Sequence, residues 1–224
     1  MAIAVVAFVA TYAGLVYLNT PVRTPAFEEV AVQLSGGNAV MVGRYEISYA
    51  LWRQCHEAGV CEHLPKPGRQ DGDDLFPVTR INWLDAGQFI VWINTRTGFD
   101  YRLPTLGEWR EIAGVPAGET RRKRFDDPRL AWAADYGTTK TYSRGVRQSG
   151  HYGFTRSGVA DISGNVWEWT STCVAADPAH CPAYYAAGED HMAEIPVFLR
   201  DAYGGGCSAG TPPANLGLRL LRDL

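Results

Sequence analysis

The segment Asp161-Ile-Ser-Gly-Asn-Val-Trp-Glu-Trp169 gathers two carboxylates, a Gly-Asn bend and two indoles within nine positions. Asp161 and Glu168 supply carboxylate oxygens, and a bend at Gly164 and beyond turns backbone carbonyls toward the same point. Oxygens of this kind are what a hard cation such as Ca2+ takes, in preference to thiolate or imidazole. The same residues also read as a tight turn between strands, with Trp167 and Trp169 filling a core on one face at period two. Residue types alone leave both readings open.

The five cysteines carry a second chemistry. Cys55 and Cys61, and again Cys173 and Cys181, lie close enough in sequence to close small loops, so two local disulfides are expected. Such bridges persist in oxidising compartments, which points to a periplasmic or other extracytoplasmic location. The competing reading is a zinc site built from these thiols with His56, His63 or His180, although no spacing matches a C-x-x-C or H-x-x-x-H pattern. Cys207 is left over in the loop Gly204-Gly-Gly-Cys-Ser-Ala-Gly-Thr-Pro-Pro213, whose glycines allow close backbone approach by a ligand and whose prolines stiffen the exit. As a nucleophile Cys207 needs a cationic neighbour, and Arg200 and Arg219 are the candidates. Without one it is an inert buried thiol. His151 and His191 are candidates for lining a pocket, each more at home individually as a surface or satisfied polar residue.

Gly164-Asn-Val-Trp-Glu-Trp169 resembles the hallmark of the sulfatase-modifying factor, or formylglycine-generating enzyme, family. Other blocks stand in that family's order: Gly43-Arg-Tyr-Glu-Ile-Ser-Tyr49, Pro77-Val-Thr-Arg-Ile-Asn-Trp-Leu-Asp-Ala86, Tyr101-Arg-Leu-Pro-Thr-Leu-Gly-Glu-Trp109 and Asn215-Leu-Gly-Leu-Arg219. The resemblance implies an α+β, C-type-lectin-like fold, irregular and turn-rich. It also implies a calcium ion held by the Asp161 side chain, the carbonyls of Gly164 and Val166, and Glu168. Catalytic members oxidise a substrate cysteine to formylglycine with copper bound by two cysteines a few residues apart, because Cu(I) takes soft thiolates. Between Arg200 and Gly217 this sequence holds a single cysteine, Cys207. The bis-cysteine copper site is therefore not expected, and the branch suggested is the exported group that includes NirV and PvdO-like proteins.

Three helices are expected to position these residues. The first starts within Glu46 to Cys55 with Ser48 as its cap. The second, Trp83 to Thr97, repeats Ala86, Phe89, Ile90 and Ile93 at helical spacing and stops at Gly98. The third, Leu106 to Ala113, opens with Thr105 and Glu108 as a capping box. Arg121-Arg-Lys-Arg124 reads as a solvated basic face. No charged side chain occurs from Met1 to Val22, and Ile3 to Leu18 is almost wholly apolar; this reads as a signal peptide or, preferably, an uncleaved signal anchor. The expected organisation is thus a signal segment over 1–22, a tether and first strand over 23–40, and the domain over 41–224. A chain of 224 residues suits one such domain. A net charge of -3 gives no basic surface for nucleic acid. The function expected is a membrane-tethered periplasmic accessory or maturation protein for an exported partner. Its rivals are a metal-dependent oxidase acting on a peptide or small molecule through Cys207, and a lectin-like ligand-binding module.

Overall fold

Local capping chemistry sets the helices. Ser48 accepts a hydrogen bond from the Leu51 amide and starts α1 (Tyr49–Glu57), which buries Tyr49, Leu51, Trp52 and Cys55. Helix α2 (Trp83–Thr97) ends as expected at Gly98, in left-handed backbone with φ 73°. It begins with a reciprocal capping box between Asn82 and Asp85, which sequence reading passed over because Asn-x-x-Asp departs from the usual Ser/Thr-x-x-Glu form. Helix α3 (Leu106–Ala113) carries the expected Thr105–Glu108 box and stops at Gly114. The computed structural model describes residues 27–66, 74–115, 145–188, 191–200 and 216–224. The signal segment, the Arg121–Arg124 run and Cys207 with its loop lie outside the described residues.

Seven strands form two sheets. Strands β1 (Glu29–Gln33), β2 (Ala39–Gly43) and β7 (Leu221–Asp223) make an antiparallel sheet in the order β1-β2-β7. Strands β3 (Trp167–Cys173), β4 (Ala183–Gly188), β5 (His191–Pro196) and β6 (Leu216–Gly217) make the other, in the order β5-β4-β3-β6, with β3 and β6 parallel. Strand β1 is paired along its length with β2. Three residues, Leu218 to Leu220, separate β6 in one sheet from β7 in the other, so Arg219 sits at the seam between the sheets. Backbone bonds from the Ile47 amide to the Leu218 carbonyl and from the Gly43 amide to the Leu220 carbonyl, 2.9 and 2.8 Å, fix that seam.

The larger core packs α1 and α2 against β3 and the last block, through residues such as Trp52, Phe89, Ile93, Trp169, Leu216 and Leu218. The Trp52 and Phe89 rings stack with centroids 5.3 Å apart. A second core under the first sheet joins Val40, Val42, Trp109, Ile112, Ile162 and Leu221. The chain is therefore a mixed α+β fold with few helices. Both expected disulfides are present: Cys55–Cys61 ties the end of α1 to the following loop with Cα atoms 5.3 Å apart, and Cys173–Cys181 closes the β3–β4 turn at 5.8 Å. Sulfurs committed to these bridges are not zinc ligands, so the zinc alternative falls. His56 and His63 instead pair through ring nitrogens with the carbonyls of Cys61 and Arg80. Among the described residues no helix is long and apolar enough to cross a membrane.

Candidate functional site

The bend expected at Gly164 and beyond falls on Asn165 and on Asp161. Asp161 and Asn165 take left-handed backbone, with φ 58° and 66°, a conformation that short polar side chains tolerate. Gly164 does not; it is small because Tyr152 lies on it, and a Cβ there would come within 3.2 Å of the Tyr152 side chain. The chain then enters β3, both faces of which are buried at its start. Trp169 points into the larger core and donates its indole N–H to the Ile81 carbonyl at 3.0 Å. Period two sends Glu168 the other way, where it is 1% exposed.

At that position Glu168 meets Arg219. The guanidinium Nη2 and Nε donate to Glu168 Oε1 at 2.7 and 3.0 Å, and the Trp109 indole N–H donates to Oε2 at 2.8 Å. The rest of the fork ties the surrounding backbone: Nη1 donates to the carbonyls of Gly43 and Arg44, and Nη2 to that of Ala160, at 2.8 to 2.9 Å. An arginine side chain has five N–H donors. These bonds engage all of them. Arg200, the other candidate, donates from Nε to Asp85 at 3.1 Å and is half exposed.

Asp161 and Asn165 serve a different segment. The Asp161 carboxylate accepts from the backbone amides of Gly150 and Tyr152. Asn165 accepts from the Arg147 amide at 2.9 Å and donates to Glu46 Oε1 at 3.1 Å. Glu46 is wholly buried, and among the described residues its Oε2 has no hydrogen-bond partner; the nearest cation, Arg219 Nη2, is 4.0 Å away. Burial pushes the Glu46 carboxyl up from an ordinary 4.5 to about 8, Arg219 opposes the rise, and the charges of Glu168 and Asp161 add to it. Burial thus favours the protonated, neutral form of Glu46.

The residues expected to hold calcium are brought to one turn, but their two carboxylates are engaged by different protein donors. Glu168 already faces a guanidinium and an indole N–H, and Asp161 faces two amides. Calcium takes roughly six to eight oxygens, whereas the oxygens of these two carboxylates are already committed to protein donors. In this arrangement the two carboxylates do not fit the ion. His151 is exposed, with its ring edge-on to Tyr152 at 5.0 Å, and His191 pairs with Gly188 in the β5–β4 ladder.

Sequence reasoning missed Glu46, Trp109 and Arg219 as a group, although each lies inside a recognised block. The Gly43–Tyr49 block supplies Glu46, the Pro77–Ala86 block the Ile81 carbonyl, the Tyr101–Trp109 block Trp109, the hallmark Glu168 and Trp169, and the last block Arg219. The scattered blocks thus meet around one turn. The sequence pattern of the sulfatase-modifying factor enzyme 1-like domain matches residues 6–224. The chain belongs to that family. No curated protein matches it. Among solved structures it is similar to Treponema denticola variable protein 1, with TM-score 0.53, 17% identity, and 83% and 85% of the two chains covered. It is also similar to PvdO from Pseudomonas aeruginosa, with TM-score 0.56, 18% identity, and 84% and 82% covered. At these identities the likeness is one of fold. In this sulfatase-modifying factor enzyme 1-like domain the family blocks build a buried ionic core, and the turn they support carries Asp161 and Asn165 out to the 147–152 segment.

Proposed function

We propose that this protein is a membrane-tethered, extracytoplasmic member of the family that acts as an accessory or maturation factor for another exported protein, without the copper-dependent formylglycine chemistry. The supporting observation is the fate of the cysteines. Four of the five are committed to Cys55–Cys61 and Cys173–Cys181, which leaves Cys207 without a second thiolate for a Cu(I) centre. The same bridges favour an oxidising compartment, and the apolar run from Ile3 to Leu18 favours a membrane tether. The family's C-type-lectin-like fold suits display of variable loops to a partner, and the similarity to PvdO agrees with a place in the exported branch.

The compartment is tested by trapping thiols in intact cells with one alkylating reagent, then reducing the bridges and labelling with a second. Peptides bearing Cys55, Cys61, Cys173 and Cys181 are expected to carry the second label, and the full-length chain is expected to stay in the membrane pellet after alkaline extraction. First-label modification of all five cysteines, with the full-length chain released from the membrane, would contradict the proposal.

A further inference from the structure

We infer that the guanidinium of Arg219 is the built-in cation of the Asp161–Glu168 turn, so that this domain holds the turn without calcium. The bonds of Arg219 carry the inference. Its Nε and Nη2 lie 2.7 to 3.2 Å from the Glu168 oxygens, the range of charge-assisted bonds from a planar fork to a carboxylate. Both partners are 1% exposed, so no solvent screens the pair. A divalent ion brought to Glu168 would have to sit against a buried positive charge of like sign, or displace it. Displacement would also remove the guanidinium's bonds to the carbonyls of Gly43, Arg44 and Ala160, leaving the Arg44 carbonyl with the Ala160 amide, and buried acceptors that lose donors are costly.

Asp161, the other charged residue of the expected cage, is hydrogen-bonded separately by the amides of Gly150 and Tyr152. The cation is delivered covalently, from the seam between β6 and β7, and it joins more than a metal at the turn alone would: the same fork ties the end of β2 to Ala160 and β3. Charge balance at Glu168 thereby becomes part of folding and independent of the surrounding solution. The inference goes beyond the proposed function and holds whatever partner the domain serves.

The test uses the full-length protein in detergent, melted in the presence of calcium chloride or of EDTA with Trp fluorescence as the signal. A ligand bound only to the native state raises the melting temperature by mass action. Coincident curves in the two solutions, and dialysed protein with no stoichiometric calcium by elemental analysis, are expected. A melting temperature several degrees higher in calcium, with one equivalent recovered, would overturn the inference. Glu168→Gln is expected to lower the melting temperature equally in both solutions; a calcium response that vanishes on this substitution would also overturn it. Arg219→Lys, which keeps the charge but loses the fork, is expected to melt earlier with no rescue by calcium. Should that variant not fold, the wild-type comparison still decides.

Discussion

Arg219→Met is expected to destabilise the domain by about 3 to 5 kcal/mol, the cost of stripping one partner from a buried ion pair. The substitution leaves Glu168 charged, 1% exposed and held by the Trp109 indole alone, while the carbonyls of Gly43, Arg44 and Ala160 lose the guanidinium's bonds. Glu168→Gln with Arg219→Met is expected to recover a substantial part of the loss, since replacing both members of a buried pair removes the uncompensated charge. The difference between single and double variants, measured by urea unfolding at fixed pH and salt, isolates the coupling between the two side chains. A single-variant loss below about 1 kcal/mol, the size of an exposed pair, would mean that Arg219 is not the keystone of the seam.

Raising the pH from about 5 to 9 is expected to weaken the wild-type protein relative to Glu46→Gln by a few kcal/mol, at most about 1.4 kcal/mol per pH unit for one proton. The sign follows from where the proton is held. In the folded protein Glu46 titrates near 8, chiefly because burial disfavours its charge, whereas exposed in the unfolded chain it returns to about 4.5. Between those values the native state binds a proton that the unfolded state does not, so stability falls as pH rises through the window. Below about 4.5 both states are protonated and Glu46 contributes no slope. Glutamine keeps an acceptor for the Asn165 side-chain amide and cannot ionise. The Glu46→Gln curve is therefore expected to lack this fall, the two proteins diverging most above pH 8. Parallel stability curves from pH 5 to 9 would show that Glu46 does not carry the proton.

The contrast between what the sequence disclosed and what it hid follows the range of the interactions. Ser48, Thr105 with Glu108, and Gly98 act on backbone within a few residues, so the helix ends can be read locally. The two disulfides close loops of sequence separation 6 and 8, and Trp167 and Trp169 declare a strand by their spacing. The ionic core is different. Glu168 is 51 residues from Arg219 and 59 from Trp109, and Asn165 is 119 from Glu46. A carboxylate in a sequence has the same appearance whether its counter-charge is a metal ion or a guanidinium, and only the fold reveals which one stands beside it. Gly164 shows the same limit: its need for a small side chain comes from Tyr152, not from a left-handed turn.

The functional reading rests on the cysteine account, and the most direct measurement is an assay for formylglycine. Purified full-length protein, supplied with copper and oxygen, is incubated with a peptide containing the sulfatase-type Cys-x-Pro-x-Arg sequence, and the peptide cysteine is followed by mass spectrometry. The account predicts no aldehyde, because Cys207 has no second thiolate with which to hold Cu(I). Aldehyde formation that Cys207→Ser abolishes would contradict it and make the protein an oxidase.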